Sequence, residues 1–176
     1  MKQLRMVQQA VVDTVEGMSE AQFNHSVGPE WSAAGYLKHL ILSVKPVAKA
    51  LNLPQDKLRE MFGTAEGGSR SYAEIASAYS ERLSEGVRAE DYTNVTPDFY
   101  RFPDGVTDQK QYLTQTWDES NTRLLNAVEG WDDSALDSLQ MPHPAIGMVT
   151  VREMLYFTLH HNSLHWNDIQ RVGGLK

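Results

Sequence analysis

The sequence predicts an all-α fold, a four-helix bundle with long connecting loops. Three observations predict it. Apolar residues recur every three or four positions over long stretches, the spacing of one helix face. No stretch alternates apolar and polar residues convincingly over the length of a strand. Several segments open on capping residues and close at glycine, asparagine or proline. The 176 residues contain no repeat and read as a single domain spanning 1–176, the size expected of one hydrophobic core. Long amphipathic helices cannot bury their stripes alone, so the segments must pack on one another.

The first helix carries Leu4, Val7, Val11, Val15 and Met18. A loop follows, with turn signals at Asn24 and Gly28-Pro29. Ser32 is a good N-cap for a second helix bearing Tyr36, Leu37, Leu40, Ile41, Val44, Val47 and Leu51. Pro46 should kink it late, and Asn52 and Pro54 end it. A short helix fits residues 57–62, and Gly63 to Arg70 reads as a mobile polar loop. Ser71-Tyr72-Ala73-Glu74 is a capping box opening a helix with Tyr72, Ile75, Tyr79, Leu83 and Val87 on one side. Residues 89–107 read as a loop. The next helix carries Leu113, Trp117, Leu124, Val128 and Trp131, and residues 132–149 read as another loop. Thr150-Val151-Arg152-Glu153 is a second capping box. It starts a helix that runs to about Val172 and stops at Gly173-Gly174. Two long loops among these elements point to crossovers other than simple up-down-up-down.

Composition narrows the function. The chain carries 16 basic and 23 acidic residues, a net charge of −7, and it shows no basic patch, which disfavours nucleic acid as a partner. It has no cysteine, so disulfides, thiolate metal sites and a cysteine nucleophile are excluded. No apolar run is long enough to span a membrane, and Gln8, Gln9, Asp13 and Glu16 break any secretory h-region. The expectation is a soluble, cytoplasmic protein acting on a small molecule. The glycine-rich stretch 63–69 lacks the spacing and lysine of a phosphate loop. Trp31, Trp117, Trp131 and Trp166 read as packing residues, and Asp132-Asp133 as solvated.

The histidines carry the chemistry. His161 and His165 are spaced i, i+4, which sets both rings on one helix face a turn apart. Two such imidazoles can chelate one divalent ion; hydrogen bonding to buried carbonyls or carboxylates is the other reading. The pair lies on the apolar stripe of the last helix and therefore faces the bundle. His39 sits on an apolar segment of the second helix, which could face the last one; a core histidine with one partner fits it equally. Asp168, three residues after His165, could orient an imidazole, occupy a coordination position, or be solvated. His160 points about 100° away from His161 and reads as exposed or as a supporting group. His25 and His143 read as solvated loop residues.

Two segments together resemble the DinB-like (DinB/YfiT-like) metalloenzyme family. One is Trp31-Ser32-Ala33-Ala34-Gly35-Tyr36-Leu37-Lys38-His39-Leu40, matching a Trp-Ser helix start followed by His-Leu. The other is His161-Asn162-Ser163-Leu164-His165-Trp166-Asn167-Asp168-Ile169, matching a terminal His-x-x-x-His, with Asp168 where the family commonly has Gln. The resemblance implies a bundle of up-down-down-up arrangement, often a homodimer. It implies His39, His161 and His165 as ligands of a divalent metal ion such as zinc or nickel. It also implies kinship with S-transferases and isomerases that use a low-molecular-weight thiol.

Three neutral imidazoles would leave a divalent ion its full charge and an open position, the pattern of catalytic zinc. A bound water would be acidified toward a pKa of about 7, and a bound thiol deprotonated. The leading expectation is a metal-dependent transferase whose sulfur comes from an external thiol. A metal-dependent hydrolase using bound hydroxide is the runner-up, with only Asp168 and His160 on offer as general base. A non-catalytic stress or ligand-binding bundle is the third. Metal affinity is expected to weaken as pH falls through about 6.5, the ordinary histidine pKa.

Overall fold

A computed structural model describes residues 1–26, 28–88, 91 and 94–175. The elements run α1 (Lys2–Glu16), α2 (Glu20–Asn24), α3 (Ala33–Leu51), α4 (Gln55–Phe62), α5 (Tyr72–Ser84), a 3-10 turn at Pro97–Phe99, α6 (Gln109–Ala127), α7 (Asp133–Ser138), β1 (Gln140–His143), β2 (Gly147–Thr150) and α8 (Val151–Val172). The protein is all-α apart from one small hairpin. Helices α1, α3, α6 and α8 form the bundle. Both α1 and α3 pack against α6 and α8, so α1 and α3 sit across the bundle from each other, and α5 lies outside on α8. The α1–α3 and α6–α8 connections therefore cross the bundle, while the α3–α6 connection joins neighbours.

The stripes read from the sequence fill the core. Leu4, Val11 and Val15 from α1, Leu37, Leu40, Ile41 and Val44 from α3, Leu113, Trp117 and Leu124 from α6, and Met154, Phe157 and Ile169 from α8 are all buried. Polar bonds set the helices' relative depth. Trp117 Nε1 donates to the Gln8 carbonyl (3.1 Å), Gln8 Nε2 donates to Asp118 Oδ1 (2.7 Å), and Trp166 Nε1 donates to Thr14 Oγ1 (2.9 Å). Among the described residues no helix is long and apolar enough to cross a membrane.

Several expectations need correction. Residues 132–149 are not a loop: they fold into α7 and the β1–β2 hairpin, with Gln140 opposite Thr150 and His143 opposite Gly147. The strands are four residues long, too short for alternation to show. Gly147 has φ +76°, a conformation that suits glycine at this turn. Val87 and Trp131 lie beyond the ends of α5 and α6, and α2 forms where a loop was expected. Helix α3 does run with Pro46 inside it to Leu51 and ends at Asn52, as expected. The 63–69 stretch is tied down, Ala65 N donating to the Ser138 carbonyl (2.8 Å) and Ser69 Oγ to Asp137 (2.6 Å). Of the loop expected over 89–107, residues 89, 90, 92 and 93 lie outside the described residues.

Candidate metal centre

Helices α3 and α8 supply the site, and each is fixed at its N-terminus. Ser32 Oγ accepts the Gly35 amide (3.2 Å) to start α3. A Cβ on Gly35 would come within 2.8 Å of Trp31 Cβ. Glycine at this position lets Trp31 fold back on the helix, with its ring centre 5.1 Å from that of His39. Helix α8 starts from the Thr150–Glu153 capping box. The Glu153 side chain, 5% exposed, accepts Arg70 Nε (2.9 Å), Arg70 Nη2 (3.1 Å), the Arg70 amide (2.7 Å) and the Thr150 amide (3.0 Å). Burial alone would raise the Glu153 carboxyl; the bonds from Arg70 and Thr150 bring it below its ordinary value.

From these anchors the three candidate ligands converge. His39 Nε2 lies 3.0 Å from His161 Nε2. One ring nitrogen from each of His39, His161 and His165 lies within 4.8 Å of the other two. The outer nitrogens of two rings are engaged. His39 Nδ1 is 2.9 Å from the Val95 carbonyl and His165 Nδ1 is 3.0 Å from Asp168 Oδ2. A carbonyl and an ionised carboxylate only accept, so both rings carry a proton on Nδ1, and in the neutral ring Nε2 is the lone-pair nitrogen. Nitrogens bound tetrahedrally to zinc at about 2.0–2.1 Å stand about 3.3 Å apart. The observed spacings bracket that value, and small side-chain shifts reach it. The donor set thus fits a divalent ion.

Burial keeps two of these bases, His39 and His161, neutral. His39 and His161 are 1% and 3% exposed, while His165 is half-buried. Desolvation, helped by the neighbouring His165, pulls the His39 pKa to about 4 despite the Val95 bond. Desolvation and the surrounding histidines hold His161 well below its ordinary value. Neutral imidazole is the form that binds metal.

Asp168 takes the orienting position among the readings open to it. Its Oδ2 faces His165 Nδ1 and its Oδ1 accepts Arg171 Nη2 (2.8 Å); Arg171 Nη1 also reaches Glu30. Burial would raise the Asp168 carboxyl, but the bonds from His165 and Arg171 lower it. The Tyr36 ring lies 5.4 Å from the His165 ring, and its phenol is held protonated by burial and by Asp168 and Glu30. A cleft of about 330 Å³ opens beside His165.

The remaining histidines separate cleanly. His160 is half-buried, with the Tyr72 and Tyr79 rings 6.2 and 6.1 Å away, and is not in the converging set. His25 is exposed as expected. His143 is not solvated: it is 6% exposed, packs on Phe157 with ring centres 4.0 Å apart, and its Nδ1 accepts the Ala145 and Ile146 amides. Desolvation lowers its pKa to about 4. Tyr36 and Arg171 were not singled out from the sequence, although each lies three residues from a candidate, Tyr36 before His39 and Arg171 after Asp168. That spacing alone places them on the same helix faces.

A family model described as the DinB superfamily matches residues 3–169. The chain belongs to the DinB superfamily. Neither the curated proteins nor the solved structures compared with it gave a match.

Proposed function

Starting from membership of the DinB superfamily, we propose that the protein binds one divalent metal ion, zinc or nickel, through His39, His161 and His165. We further propose that it works there as a metal-dependent transferase with a low-molecular-weight thiol. One observation supports this reading above the others: three histidine nitrogens come within 4.8 Å of one another, and two of the rings have their outer nitrogens already bonded. A divalent ion held by three neutral imidazoles keeps an open position and lowers the pKa of a thiol or water that reaches it.

The chain's own residues prepare the site. Val95 and Asp168 fix the rotation and tautomer of His39 and His165. The Trp31 ring covers His39 and limits water there. The Tyr36 phenol, kept protonated, can donate a hydrogen bond beside His165 but cannot serve as a base at neutral pH. Asp168 is committed to both His165 and Arg171, so it is a poor general base. That commitment favours the transferase over the hydrolase. The chain has no cysteine, so the nucleophilic sulfur must arrive with the co-substrate.

Metal analysis of the purified protein, followed by a screen of small thiols against a generic electrophile, tests this reading. Stoichiometric metal and thiol-dependent turnover are expected. Turnover by water without thiol assigns the hydrolase. Full metal occupancy with no turnover by either assigns a non-catalytic stress or ligand-binding bundle.

A further inference from the structure

The cleft beside His165 is walled by Trp31, Tyr36, Tyr79, Leu83 and Leu164 and measures about 330 Å³. That is the low end for small-molecule pockets, room for one ring and a short chain. The charges that line it differ in their commitments. Glu30 and Asp168 both belong to Arg171, which bridges them. Arg88 lines the cleft as well, and among the described residues it forms no ion pair. Its Nη1 donates to the carbonyls of Leu83 (2.6 Å), in the last turn of α5, and Val87 (3.1 Å), just beyond it. The Nε and Nη2 hydrogens of the guanidinium have no partner among the described residues.

Resting on the metal-site reading above, we infer that the substrate is a small organic anion with an apolar, preferably aromatic, body. The aromatic and leucine walls take the body, and Arg88 takes a carboxylate. The guanidinium fork matches a planar carboxylate through parallel hydrogen bonds. A cationic ligand would face Arg88 and two carboxylates that each already hold a guanidinium nitrogen of Arg171. A ligand so held lies along the ring of His165, the candidate metal ligand that lines the cleft.

Calorimetric titration of the full chain, stripped of metal with a chelator, tests this with three probes of one shape: 3-phenylpropionate, 3-phenylpropanol and 3-phenylpropylammonium. Without metal, the carboxylate has no ion to ligate. The carboxylate should bind about tenfold more tightly than the alcohol, with the amine weakest. Arg88→Gln should erase the preference while leaving the alcohol unchanged, and Arg88→Lys should keep part of it. Equal binding of the three probes by the wild-type protein overturns the inference, and so does a preference that survives Arg88→Gln. Should Arg88→Gln fail to fold, the wild-type comparison decides alone. Zinc binding by the wild-type protein without the carboxylate preference sinks this inference and leaves the metal site standing. The preference without zinc binding does the reverse.

Discussion

The two halves of α8 use polar groups in opposite ways. Near its N-terminus each charge meets its partner. Glu153 is bound by Arg70, and Arg152 reaches Asp137 (2.5 Å) and Asp133 (2.6 Å). Further along, three imidazoles from α3 and α8 turn toward one another with no acid between them. The first arrangement is complete as protein. The second brings together three nitrogens that can hold a cation. The difference teaches that burial has two outcomes here. It strengthens a matched pair in one place and holds His39 and His161 neutral in the other.

Breaking the second arrangement should have the largest effect. Alanine at His39, His161 or His165 should each weaken zinc binding by more than about a hundredfold, read by competition with a chromophoric chelator. His25→Ala should leave it unchanged.

Acid should come next. His39 and His143 titrate near 4 in the folded protein against about 6.5 unfolded. Above pH 6.5 both states are neutral and these groups leave stability flat. Between 6.5 and 4 the unfolded chain takes up protons that the folded chain refuses, so stability falls with pH. Each group accounts for a loss on the order of 3 kcal/mol. Urea unfolding from pH 7 to 4 should show the fall, and His143→Leu should make it shallower, leaving the share of His39, whatever its effect at pH 7. The same burial shifts proton competition for metal at His39 below the pH of 6.5 expected from the sequence.

Breaking the matched half should cost less and leave the metal site alone. Glu153→Ala should lower stability by about 2 kcal/mol, seen as a reduced urea midpoint, with zinc affinity of the folded protein unchanged. Asp168→Ala frees the His165 ring to rotate and should weaken zinc binding by about tenfold or somewhat more. Asp168→Asn, which still offers an acceptor oxygen, should lose less. His160→Ala should change zinc affinity by less than about threefold, since an effect of that size is under 0.7 kcal/mol. If His160→Ala removes the metal and His161→Ala does not, the assignment of faces on α8 is wrong.

What the sequence revealed of this site was what helix geometry carries locally. The spacing His161, His165, Asp168 lies within two turns of one helix, and a regular helix places those side chains without reference to the rest of the fold. Pairing them with His39 needed a second motif, and the family resemblance supplied it. The β1–β2 hairpin was hidden because Pro142 and Pro144 read as loop; in a two-stranded sheet both strands are edges, and Pro142 fits opposite Met148. His143 looked solvated because its burial comes from Phe157, on α8. Arg88 and Tyr79 reach the cleft only because α5 packs outside on α8, and no local spacing encodes that packing.

The central claim is that three imidazoles, from two helices, hold one ion. X-ray absorption spectroscopy of the zinc-loaded protein addresses it most directly. One zinc per chain is expected, with three imidazole nitrogens at about 2.0–2.1 Å and one further light atom. A zinc shell with fewer than three imidazoles, or one unchanged by His39→Ala, would contradict it.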